Sequence, residues 1–174
     1  MAVLNQTQSG GSRINSEAVV PKGSYIALCI DVEDNFGVER FKFGSETEKE
    51  VIDTTTFYFG LKKGSDAYVI RSKPFKLSLH EKSALFQFLK QWQNEAPKAG
   101  FDTVTLTGHP AQITVEHSMS NKGRIYANIS SISPIMEGLE KMVPALADFK
   151  GLLQPQTKKN VANQEENESD EIPF

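Results

Sequence analysis

The sequence is poor in the residues that build covalent or metal-held frameworks. One cysteine, Cys29, stands among 174 residues, so no internal disulfide and no cysteine-rich zinc site can form. The three histidines, His80, His109 and His117, have no metal-ligand spacing. No phosphate loop is present: Gly10-Gly11 and Gly108-His109-Pro110 lack the Lys-Ser/Thr that would follow. No run approaches 18 apolar residues, which excludes a transmembrane helix. The first residues, MAVLNQTQSGGSRINSE, have no basic head followed by an apolar stretch, so a secretory leader is not expected and the expected setting is a reducing cytoplasm. Cys29 has no histidine near it in sequence, and the carboxylates cluster in a loop and a tail. Nothing here builds a nucleophile, an acid–base pair or a metal centre. The expectation is a non-enzymatic chain with no cofactor and no metal.

What the chain does have is an asymmetric charge. The formal net charge is −3, yet no basic residue follows Lys159, and Glu165, Glu166, Glu168, Asp170 and Glu171 crowd the end. Setting aside those five negative charges turns −3 into +2 for the remainder. A mildly basic body with an acidic tail is electrostatically unlike a uniformly acidic globule.

The pattern divides the chain into a polar arm at 1–20, a folded domain at 21–153 and an acidic, disordered tail at 154–174. Within the domain, Ile26, Leu28, Ile30 and Val32 alternate and predict a first strand over 24–33 with those four on its core face. Residues 34–50 read as a long loop or a hairpin tip carrying Phe41 and Phe43. A second strand, 51–61, places Thr55, Phe57, Phe59 and Leu61 inward. A third, 67–77, contains Pro74, which marks an edge or a bulge. Ser78 and Glu81 match a capping box, and Leu85, Phe88, Leu89 and Trp92 form one face of a helix ending near Asn94. Ala111, Ile113, Val115 and His117 predict a fourth strand. Ile125, Ala127 and Ile129 predict a fifth, after a Ser120–Gly123 turn. A short helix carrying Leu139, Met142, Val143 and Leu146 is expected within 135–153. The domain is thus mainly β. Five antiparallel strands with one helix between the third and fourth is the order of an OB-fold barrel, which binds oligonucleotides or oligosaccharides on its second and third strands and adjoining loops.

Binding to an unpaired strand needs cations for phosphates and flat rings for bases. The outward face of the second strand offers Tyr58 and Lys62. The third offers Tyr68, Arg71, Lys73 and Phe75, and the fifth Arg124 and Tyr126. Arg40, Phe41, Lys42 and Phe43 alternate cation and ring in the long loop, and Lys122 lies in the last turn. Each of these rings could equally be a core residue, and each cation an ordinary surface charge.

The sequence closes on Ser169-Asp170-Glu171-Ile172-Pro173-Phe174. This resembles the tip of bacterial single-stranded-DNA-binding proteins, in which acidic residues precede Ile-Pro-Phe. The resemblance implies an OB-fold body that coats single-stranded DNA, largely without sequence preference, during replication, recombination and repair. It further implies that Asp170, Glu171, Ile172, Pro173 and Phe174 dock replication and recombination proteins. A phenyl ring beside a terminal carboxylate suits an apolar pocket with a basic rim. The segments Ser78–Ser83 and Tyr126–Pro134 are similar to bacteriophage-encoded proteins of this kind. Trp92, the only tryptophan, falls on the helix, so the bacterial family's stacking residues and homotetramer are not transferred. A homo-oligomer remains open. A protein-interaction adaptor on a small β-barrel, or an RNA or duplex-DNA binder, is the alternative.

Overall fold

A computed structural model describes residues 19–153. The readings on the arm through residue 18 and on the tail from residue 154, including Asp170–Phe174, lie outside the described residues.

The domain is mainly β. Strands β1 (Gly23–Phe41), β2 (Lys49–Lys63), β3 (Asp66–Arg71), β4 (Phe75–Lys76), β5 (Pro110–Met119) and β6 (Ile125–Ser133) form one antiparallel sheet. Its order is β3-β2-β1-β5-β6, with β4 paired to β2. The end strands β3 and β6 approach each other, but among the described residues no ladder joins them. Helix α1 (Ala84–Gln93) lies between β4 and β5.

The first strand departs from the simple alternation that its sequence predicts. The interior takes Ala27, Cys29 and Val32, whereas Leu28 and Ile30 are buried on the opposite face. A bulge explains this. Cys29 pairs with Phe59 and Asp31 with Tyr58, so Ile30 is an inserted residue and the parity of the strand flips after it. The same device acts in β6. Val115 pairs with Ile129 and Thr114 with Ser131, which brings Ile132 rather than Ser131 into the core. In β2 the expected face, Phe57, Phe59 and Leu61, is fully buried. Pro74 does break the third strand: Ser72–Pro74 leave the ladder between β3 and β4, and the Ser72 hydroxyl accepts a hydrogen bond from the Phe57 N–H at 3.0 Å.

The helix starts later than the Ser78–Glu81 box suggests. Ser83 is its cap, its hydroxyl accepting from the Phe86 N–H at 3.1 Å, while the Ser78 hydroxyl is used in the preceding turn by the His80 N–H. Leu85, Leu89 and Trp92 are buried as their spacing requires. Trp92 meets Phe59 at 5.2 Å and Phe57 at 5.7 Å between ring centroids, and its indole N–H donates to the Pro110 carbonyl at 2.9 Å. The one polar atom of this buried ring is therefore satisfied.

The expected helix within 135–153 is replaced by two 3-10 turns, Glu140–Met142 and Leu146–Phe149. Pro144 explains the change, because it bars helical backbone at Val143. Met142 and Leu146 are exposed, and the apolar contacts are made instead by Val143, Phe149, Leu152 and Leu153. This C-terminal strap covers Leu28, Ile30 and Val69 on the outer face of the sheet. Phe149 lies directly on Gly60, where an added Cβ would stand 2.5 Å from the ring. Only glycine leaves room for so close an approach.

Candidate nucleic-acid interface

Two outer regions gather most of the predicted ligand residues: a cleft beside β3, β4 and β6, and a hairpin arm.

The cleft encloses about 1020 Å³ between the β2–β3–β4 side of the sheet, helix α1 and β6. Arg71, Lys73, Tyr58, Phe75 and Tyr126 all line it. Arg71 comes from the end of β3, Lys73 from the break before Pro74, and Tyr126 from β6. Arg71 and Lys73 are exposed, and among the described residues neither forms an ion pair. The Lys73 ammonium lies over the Phe75 ring at 5.4 Å, a cation–π contact. Tyr126 is 46% exposed and presents a ring to the opening.

Two predicted stacking rings require correction. Tyr58 is 1% exposed and Phe75 is 4% exposed. Tyr58 is packed with Leu28, Ile30, Val69 and Phe149, and its hydroxyl donates to Glu33 Oε1 at 2.6 Å. Phe75 packs against Phe88 at 4.7 Å. Both shape the floor of the cleft, and neither offers a free face to a base. Tyr68 is half-buried against the interior.

Lys62 shares the outer face but lies at the strap, 3.7 Å from Asp148 Oδ2. Lys122 is exposed in the β5–β6 turn, and Arg124 is half-buried beside it.

The segment read as a long loop or a hairpin tip is a long hairpin arm, with β1 running to Phe41 and β2 starting at Lys49. Phe36 and Phe41 are exposed and Phe43 is fully so. The arm's cations face carboxylates: Arg40 with Glu50 at 2.8 Å, Lys42 with Glu48 at 3.8 Å and Lys49 with Glu39 at 3.6 Å. The hydrogen bond from Arg40 holds the Glu50 carboxyl below its ordinary pKa. Arg40 and Lys42 are thus each paired with a carboxylate across the hairpin.

Several cleft residues escaped the sequence reading. Glu33, Asn35, Thr54 and Thr56 come from β1 and β2, and Gln87 and Gln91 from α1. A signal for the helix residues did exist: Ala84, Gln87, Phe88 and Gln91 form a second stripe at i, i+3, i+4 and i+7.

The remaining chemistry is spare. Burial pushes the Cys29 thiol up to about 12, which keeps it protonated and unreactive. Among the described residues no group of three or more His, Cys, Asp and Glu could hold a metal ion, and no helix is long and apolar enough to cross a membrane. Comparison of the chain with protein-family models, with curated proteins and with solved structures finds no match.

Proposed function

We propose that this chain is a non-enzymatic single-stranded-DNA-binding protein, with an OB-type barrel as its body and the cleft as its strand-binding site. The observation that carries this reading is the convergence of Arg71, Lys73 and Tyr126 on one open cleft. Two cations without carboxylate partners suit phosphates, and a half-exposed phenol ring suits an unstacked base. The cleft's volume of about 1020 Å³ leaves room for nucleotides whose bases are splayed out. The strand order β3-β2-β1-β5-β6, with a helix before β5 and the end strands drawn together, supports a barrel with an unpaired seam.

In this reading the protein coats exposed strands in the cytoplasm of a bacterial host during replication, recombination and repair. The acidic end, with Asp170–Phe174, recruits partner proteins by charge steering and insertion of the terminal ring.

A fluorescent mixed-sequence oligonucleotide, titrated at low and high salt, tests the proposal. Affinity should fall as salt rises, and should increase when residues 160–174 are removed, because their negative charge opposes the strand. A duplex of the same sequence should bind more weakly. Absence of binding at low salt, with and without the tail, would discard the reading. It would favour an adaptor role, for which the specific support is the fully exposed Phe43 on an arm of internally paired charges.

A further inference from the structure

The cleft carries one group that a purely phosphate-tracking groove would avoid. Glu33 lines it from β1, where pairing with Thr56 of β2 fixes its position. Its Oε1 accepts the Tyr58 hydroxyl at 2.6 Å, and Tyr58 is itself buried, so the carboxylate is held in place from below. Among the described residues no ion pair engages Glu33. An ionised carboxylate accepts hydrogen bonds and donates none. It repels phosphate and attracts N–H groups. The same cleft is lined by the neutral amides of Asn35, Gln87, Gln91 and Asn128, of which Gln87 already donates to the Glu81 carbonyl at 2.7 Å and Asn128 to the Ser118 hydroxyl at 2.6 Å.

This division has a direct consequence for which part of a nucleotide enters. Arg71 ends β3 and Lys73 follows it in the β3–β4 break, whereas the carboxylate and the amides come from β1, α1 and β6. We infer that Glu33 is a base-reading residue: bases turn into the cleft, and an exocyclic amino group donates to its carboxylate. Carboxylate recognition of the cytosine amino group is a known pairing of this chemistry. Thymine presents a carbonyl oxygen at the same ring position, and that oxygen faces a negatively charged acceptor. The inference rests on the single-stranded-DNA reading and refines its sequence tolerance into a preference for cytosine over thymine.

The test compares oligo-dC with oligo-dT of equal length on the full chain. Both bases are single-ring pyrimidines, so stacking changes little, while the amino group at C4 is exchanged for a carbonyl together with a change at N3 and an added 5-methyl group. The wild-type protein should bind oligo-dC at least about fivefold more tightly, the lower end for one good base contact. Glu33→Gln should erase most of that ratio by raising affinity for oligo-dT, because an amide can donate to the thymine carbonyl. It also retains an oxygen for the Tyr58 hydroxyl. Equal wild-type affinities for the two oligomers would overturn the inference while leaving strand binding intact. An unchanged ratio in the Glu33→Gln protein would overturn it as well. Binding of neither oligomer would remove the underlying reading and the inference together.

Discussion

On the arm, Arg40 and Lys42 sit across the hairpin from Glu50 and Glu48, whereas in the cleft Arg71 and Lys73 face water and the Phe75 ring. The arm reads Arg-Phe-Lys-Phe and the cleft edge Arg-Ser-Lys-Pro-Phe, so each has two cations close to phenyl rings. What differs is register. β1 and β2 pair Arg40 with Glu50 directly, so the ladder that builds the arm also cancels its charge. At Ser72–Pro74 the ladder is interrupted, and no opposing strand supplies acids there. The rings differ as well. Phe43 is bare to solvent, while Phe75 is packed into an aromatic cluster. A cation–aromatic run in the sequence therefore leaves open charges only where strand pairing sets no carboxylate against them.

That contrast can be tested by single and paired substitutions. The largest effect is expected for a ring of the interior: Phe57→Ala should cost about 3–5 kcal/mol in chemical denaturation, since its ring meets Phe75, Phe88 and Trp92. Phe43→Ala on the arm should change stability by no more than about 0.5 kcal/mol in the same assay. A large loss there would mean that the arm is packed in solution. Next, Gly60→Ala should destabilise by roughly 1–3 kcal/mol, because the new methyl meets the Phe149 ring. A neutral result would show that the strap lifts readily from the outer face. Third, Arg71→Ala combined with Lys73→Ala should flatten the dependence of log affinity on log salt by about 1.4, or roughly 0.7 per phosphate contact. The smallest effect is expected for Arg40→Ala combined with Lys42→Ala, which should alter oligonucleotide affinity by no more than about twofold, since cations already paired release few counterions. A larger loss from the arm than from the cleft would reverse the comparison.

The strand positions, the helix face and the hairpin turns were legible in the sequence because each depends on local periodicity. Phe57, Phe59 and Leu61 follow a two-residue period, and Leu85, Leu89 and Trp92 follow a helical one. The bulges at Ile30 and Ser130 were not legible. An inserted residue leaves the apolar count intact and only shifts its phase, and in β1 both faces are apolar because the strap covers the outer one. The strap itself was misread because its apolar residues have helical spacing while Pro144 forbids the helix. Arg71, Lys73 and Tyr126 were singled out by residue type, and the structure puts all three on one cleft. Tyr58 was placed on the correct strand and Phe75 on the third rather than the short β4, and both were given free faces that burial denies them.

The amino-acid sequence by itself determined the β-rich character, the amphipathic helix before β5, the acidic end and the lack of a cysteine or histidine framework. These are properties of composition and of neighbours a few residues apart. Tertiary structure alone decided which cations stay unpaired, which rings are open, and that Glu33, Gln87 and Asn128 meet in one cleft. Those outcomes depend on strand register and on contacts between residues far apart in the chain, where a shift of one position exchanges the two faces of a strand.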